Sequence, residues 1–154
     1  MNAFVLTLIT VAVGGLVAAQ PPVNARLGQL LGNPFLAALV SFTTGTTAIV
    51  LTCLARRVPL PTATAVASVP WWGWVGGLLG AVFVVSAIVI TPRLGAAAFI
   101  AAIVTGQMLT SVLLDHFGLV GLPKRPVDWV RVAGAALIIG GVYLITRPAA
   151  PTEV

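Results

Sequence analysis

Gln20-Pro21-Pro22-Val23-Asn24-Ala25-Arg26-Leu27-Gly28 interrupts what would otherwise be one apolar run from Phe4 to Ala55. The interruption contains two amides, two prolines and an arginine. It predicts two membrane-length helices separated by a polar break. In hydrocarbon, irregular backbone is tolerated only where protein or water covers it. Ionisable and amide groups at a broken helix are the best pointer in a sequence to a transport site.

The rest of the chain fits a lipid environment. Hydrophobic residues make up 59% and charged residues 7% of 154 residues, with a mean hydropathy of +1.11. Soluble domains carry about 25% charge, so a chain this poor in charge has nothing with which to cover a surface in water. The composition predicts an all-α integral membrane protein, with membrane lipid as its first partner. The formal charge of +5 does not point to nucleic acid. Arg26, Arg56, Arg57, Arg93, Lys124, Arg125, Arg131 and Arg147 all stand at the ends of apolar runs, as topology signals and interfacial anchors do. Cys53 is the single cysteine, so an internal disulfide is excluded, and no metal-ligand spacing is present. The sequence predicts no cofactor and no metal.

The N-terminus mimics a signal peptide, but no Lys or Arg precedes its apolar run; it is taken as the first span. Five spans are predicted, at about residues 3–19, 34–54, 72–90, 95–114 and 129–145, in one membrane domain over 1–148 with a frayed tail at 149–154. Residues 24–31 are expected to add one or two turns of amphipathic helix after the break. Residues 91–95 are expected to be the whole connection between spans three and four. Span two is rich in hydroxyls: Ser41, Thr43, Thr44, Thr46 and Thr47 surround Gly45. Such hydroxyls either bond back to the preceding turn or wall a polar cavity. In span three, Gly73/Gly77 and Gly76/Gly80 are small-xxx-small pairs that mark close helix contact. Trp71, Trp72 and Trp74 favour the headgroup level.

Span four carries Gln107 near its middle, with Thr110 and Ser111 on the same face. That face suits a cavity wall or interhelical glue. Asp115 and His116 close the span. As neighbours on a helix they point about 100° apart, with no nucleophile beside them, so an enzyme is not predicted. His116 is expected to favour positive charge at a helix C-terminus. Sorting Lys and Arg by side favours a cytoplasmic N-terminus.

Several segments together resemble the YdcZ-like family of the drug/metabolite transporter superfamily. They are Gln20-Pro21 with Asn24-Ala25-Arg26-Leu27-Gly28, Ala38-Leu39-Val40-Ser41-Phe42 with Gly45, Pro92-Arg93-Leu94-Gly95, Gly106-Gln107, and Asp115-His116-Phe117-Gly118-Leu119. Pro22 departs from the small residue expected there. The last helix, Gly134 to Val142, also looks like the dimer-forming terminal helix of small multidrug resistance transporters. Gly134 and Gly141, seven apart, would form the contact.

The resemblance implies a multi-pass protein of the bacterial inner membrane and a five-helix half of a 5+5 inverted repeat. A lone half is then expected to form an antiparallel homodimer, or a heterodimer with a related half, with a small-molecule site between halves near the midplane. On that basis Gln20, Asn24, Arg26, Gln107 and Ser111 are expected to line a solute path, and Arg93 and Asp115 to pair or gate. Two arginines favour an anionic or zwitterionic solute. The alternative is a non-transporting membrane subunit or assembly protein, which glycine-rich helix faces fit equally well.

Overall fold

A computed structural model describes residues 2–147; the tail expected at 149–154 lies outside them. All seven α-helices and both short 3₁₀ turns among the described residues fall in one chain order. They are α1 (Ala3–Ala18), α2 (Gln20–Leu31), α3 (Pro34–Ala55), the short α4 (Ala63–Ala67), α5 (Gly76–Leu94), α6 (Ala96–Phe117) and α7 (Trp129–Thr146), with 3₁₀ turns at Trp71–Trp74 and Leu119–Gly121. Five stretches are long and apolar enough to cross a bilayer: Ala3–Leu31, Pro34–Ala55, Trp71–Leu94, Ala96–Phe117 and Trp129–Thr146. The protein is an all-α, five-span membrane protein. Packing divides the chain between Arg93 and Leu94 into two compact units.

In the first unit, Asn2 caps α1 by accepting from the Phe4 N–H at 3.2 Å. The expected polar break proves to be helical. Ala19 keeps right-handed helical angles (φ −76°, ψ −20°), and α2 begins at once with Gln20. Pro21 and Pro22 occupy its first turn, where their fixed φ suits a helix and no needed donor is lost. Their cost falls on the preceding turn: neither can donate to the i−4 carbonyls of Val17 and Ala18. The break is therefore a joint between two helices, not an unwound segment. As a straight rod the 29 residues of this span would measure about 44 Å, against about 30 Å of hydrocarbon.

Gly32, at φ +68°, ends α2, a left-handed position that favours glycine. Asn33 then caps α3, its Oδ1 accepting from the Phe35 and Leu36 N–H groups at 2.8 and 3.3 Å. The result is an antiparallel hairpin. Gly28 faces Ala37 and Pro34, and one turn earlier Asn24 faces Ser41. Helix α5 closes this hairpin through a core of Ala37, Ala38, Val84 and Ile88, flanked by Leu27, Phe83 and Val85. A Cβ on Gly28 would stand 2.7 Å from Ile88 Cγ2, so the absence of a side chain there sets how closely α2 and α5 meet.

Two further boundaries differ from expectation. Helix α5 runs on to Leu94 with Pro92 inside its last turn, so Gly95 alone, at φ +83°, separates it from α6. A proline this near a helix end removes one donor without stopping the chain earlier. Trp71–Trp74 is a 3₁₀ turn, so Gly73 and Gly77 do not share an α-helical face. Gly80 does make a close contact, 3.7 Å from a Phe42 ring carbon by its would-be Cβ.

In the second unit, α6 continues past the expected end to Phe117 and stops at Gly118, φ +65°. Asp128 caps α7 by accepting from the Arg131 N–H at 2.8 Å. Between them the backbone N–H of Arg125 donates to the Asp115 carbonyl at 2.7 Å, folding the loop back onto the end of α6.

Candidate functional site

Asn24 is only 6% exposed, a polar side chain inside the first unit. Its Nδ2 donates to Ser41 Oγ at 3.2 Å, joining α2 to α3. Immediately beyond this bond, Gln20, Ser41, Phe42, Gly45, Thr46, Ile49 and Val84 line a groove of about 250 Å³. Its depth follows from α3. Twenty-two residues make a helix of about 33 Å, on which Ser41 lies about 10 Å and Thr46 about 18 Å from Pro34. In a bilayer spanned by α3 the groove sits near the midplane, and so does the α1–α2 joint at Gln20.

Two sets of hydroxyls on α3 differ in their partners. Thr44, Thr47 and Thr52 donate to the carbonyls of Val40, Thr43 and Ala48, each at 2.8 Å. They satisfy themselves within their own helix. Ser41 does not bond back; it accepts from Asn24 and keeps its own proton free for another partner. The side chains of Thr46 and Gln20 make no hydrogen bond among the described residues. Three hydroxyls thus bond back within their own helix, while Ser41 and Thr46 line the groove. Ser41 and Thr46 were not among the expected path residues. The signal available was their helical register: Ser41, Gly45 and Ile49 recur every four residues on one face, with Phe42 and Thr46 beside them.

The remaining candidates are distributed as follows. Arg26 and Arg93 are exposed and neither lines the groove; the Arg26 guanidinium donates to Gln29 Oε1 at 3.3 Å. On α6, Gln107, Thr110 and Ser111 are exposed, and the Gln107 amide has no hydrogen bond among the described residues. Asp115, half-buried, pairs with Arg131 at 3.6 Å, an intramolecular partner that the sequence reading did not assign. Arg131 also donates to the Arg125 carbonyl at 3.4 Å. His116 Nδ1 accepts from the Val127 N–H at 3.1 Å. Together Asp115, His116 and Arg131 clamp the α6–α7 loop. On α7, Gly134 and Gly141 are half-buried, and nothing lies within 4 Å of a Cβ built on either. No group of His, Cys, Asp and Glu able to hold a metal ion occurs among the described residues.

Residues 5–144 match the family described as "Putative inner membrane exporter, YdcZ". The chain is also similar to the inner membrane protein YdcZ of Escherichia coli strain K12. The two are 29% identical over 147 residues, which cover 96% of this chain and 98% of that relative. No solved structure matches the chain. With nearly its whole length inside the match, the chain belongs to the YdcZ family of inner-membrane proteins.

Proposed function

We propose that this chain is the five-helix half of a small-solute exporter in the inner membrane, working as a dimer by alternating access. The observation that carries the proposal is the jointed first span. Its joint at Gln20 stands at mid-depth against the α3 hydroxyls, with unspent hydrogen-bonding groups around a groove. Such groups are costly in hydrocarbon and are kept where they serve a path. The family's description as an exporter supports the same reading.

A second half is required on this view. Gln107 is exposed in the middle of α6 with an amide that makes no hydrogen bond among the described residues, and no residue of α1 is buried. Both faces suit cover by another protomer, an antiparallel copy or a related half, with Gly134 and Gly141 providing close approach. The N-terminus is cytoplasmic in the orientation that the Lys and Arg distribution favours.

The test is flux in proteoliposomes. Release of a panel of small solutes from vesicles containing purified protein should exceed release from empty vesicles, and Gln20→Leu should reduce it. A subunit without transport activity would leave both kinds of vesicle equal.

A further inference from the structure

We infer that the groove between α2, α3 and α5 selects an uncharged solute that has both a hydrogen-bonding end and an apolar body. This rests on the transport reading above and adds the substrate class. None of the seven lining residues is ionisable: Gln20, Ser41, Phe42, Gly45, Thr46, Ile49 and Val84. A charged solute entering from water would lose its hydration and find no counter-charge there. The two arginines that suggested an anion stand outside the lining, and Arg26 is engaged with Gln29.

The polar groups present suit a neutral amide or alcohol. Gln20 offers a carbonyl oxygen and an NH₂ group, and Thr46 a hydroxyl that can donate and accept. Ser41 is held by Asn24 in the accepting role toward that amide, so its proton is left to donate into the groove. Gly45 opens the space between these groups, since nothing lies within 4 Å of a Cβ built there. Phe42, Ile49 and Val84 supply the apolar side. The volume of about 250 Å³ is just under the roughly 300–1,000 Å³ of sites for drug-sized ligands, which restricts the occupant to a small solute.

Three probes of nearly equal shape isolate the charge: 4-fluorobenzamide (neutral), 4-fluorobenzoate (anion) and 4-fluorobenzamidine (cation). Fluorine NMR measures the binding of each to the full-length protein in lipid nanodiscs, wild type against Gly45→Leu. Partition into the lipid is the same for both proteins and cancels. The neutral probe should show binding that Gly45→Leu abolishes, at least tenfold tighter than either charged probe. Binding of a charged probe that is equally tight and equally lost in Gly45→Leu would overturn the solute class while leaving the groove as a site. No difference between wild type and Gly45→Leu for any probe would overturn the groove. Flux of the same probes across proteoliposomes separates this from the transport reading. Protein-dependent flux insensitive to Gly45→Leu leaves an exporter whose site lies elsewhere.

Discussion

Asn24 Nδ2 and Ser41 Oγ meet at 3.2 Å, the polar tie between the second half of the jointed span and the helix that follows it. Hydrogen bonds between membrane helices are worth about 0.6 kcal/mol on average and at most about 1.7, because the separated helices also find partners in lipid. A double-mutant cycle on Asn24→Ala and Ser41→Ala should therefore give a coupling of about 0.6–1.7 kcal/mol, measured by reversible unfolding in bicelles. Additive effects would show that the contact contributes nothing to holding α2 on α3.

Gly28 and Ile88 give a larger effect of the opposite kind. A methyl at Gly28 would sit 2.7 Å from Ile88 Cγ2, a branch fixed on the α5 backbone side and unable to swing clear. Overpacking of this sort costs about 1–3 kcal/mol. Gly28→Ala should lower stability in bicelles by that amount, and Ile88→Ala in the same chain should restore part of it. Ile88→Ala alone is expected to destabilise by leaving a cavity, so recovery in the pair is specific to the clash.

The two classes of hydroxyl on α3 predict a contrast in function. Thr44, Thr47 and Thr52 bond to their own helix, so replacing all three by Val should leave proteoliposome flux within about twofold. Ser41→Ala with Thr46→Val removes two groups from the groove. Each lost hydrogen bond to a solute is worth about 0.5–1.5 kcal/mol, so flux at low solute concentration should fall roughly tenfold. Equal losses in both variants would mean that the groove has no privileged role.

Much of this was legible in residue order, and the failures have definite causes. Five spans followed from the apolar runs, because lipid allows few alternatives to a helix. The ends of α5 and α6, expected at 90 and 114, lie at Leu94 and Phe117, where Pro92 and Gly118 had suggested earlier stops. Pro21 and Pro22 looked like a break because proline disrupts a helix interior; in a first turn it does not. Pro92 looked like a stop, yet it sits within the last turn of α5. Asn24 stood out in the sequence as a polar residue within an apolar run, whereas its partner Ser41 was hidden among similar hydroxyls. Which of them faces a neighbour depends on the rotation of α3, and the nearly uniform apolarity of that helix hides it. Asp115 was visible as a rare acid, but its pairing with Arg131 needed the loop to fold back.

The His116–Val127 bond, 3.1 Å from the backbone N–H to Nδ1, ties the α6–α7 loop to the end of α6. Hydrogen exchange at the Val127 amide should show protection in the wild type at neutral pH. His116→Ala should abolish it, and His116→Asn, whose side-chain oxygen can replace Nδ1, should retain part. Protection unchanged in His116→Ala would mean that the loop is held by the Asp115 carbonyl and Arg125 alone.

The dimer proposal meets its sharpest test at Asp115. Within one chain its carboxylate is 3.6 Å from Arg131, with both side chains about one-third exposed. An ion pair so exposed is worth about 0–1 kcal/mol, weak enough for a second arginine to compete. In an antiparallel assembly the partner's Arg26 or Arg93 would lie on the same membrane side as Asp115, because the two chains are inverted. With Cys53, an exposed thiol, replaced by Ser, single cysteines at Asp115 and at Arg93 in separate chains should crosslink between protomers reconstituted together. Two cysteines at Asp115 should not, since inversion places them on opposite sides. Crosslinking of the Asp115 pair instead would make the assembly parallel.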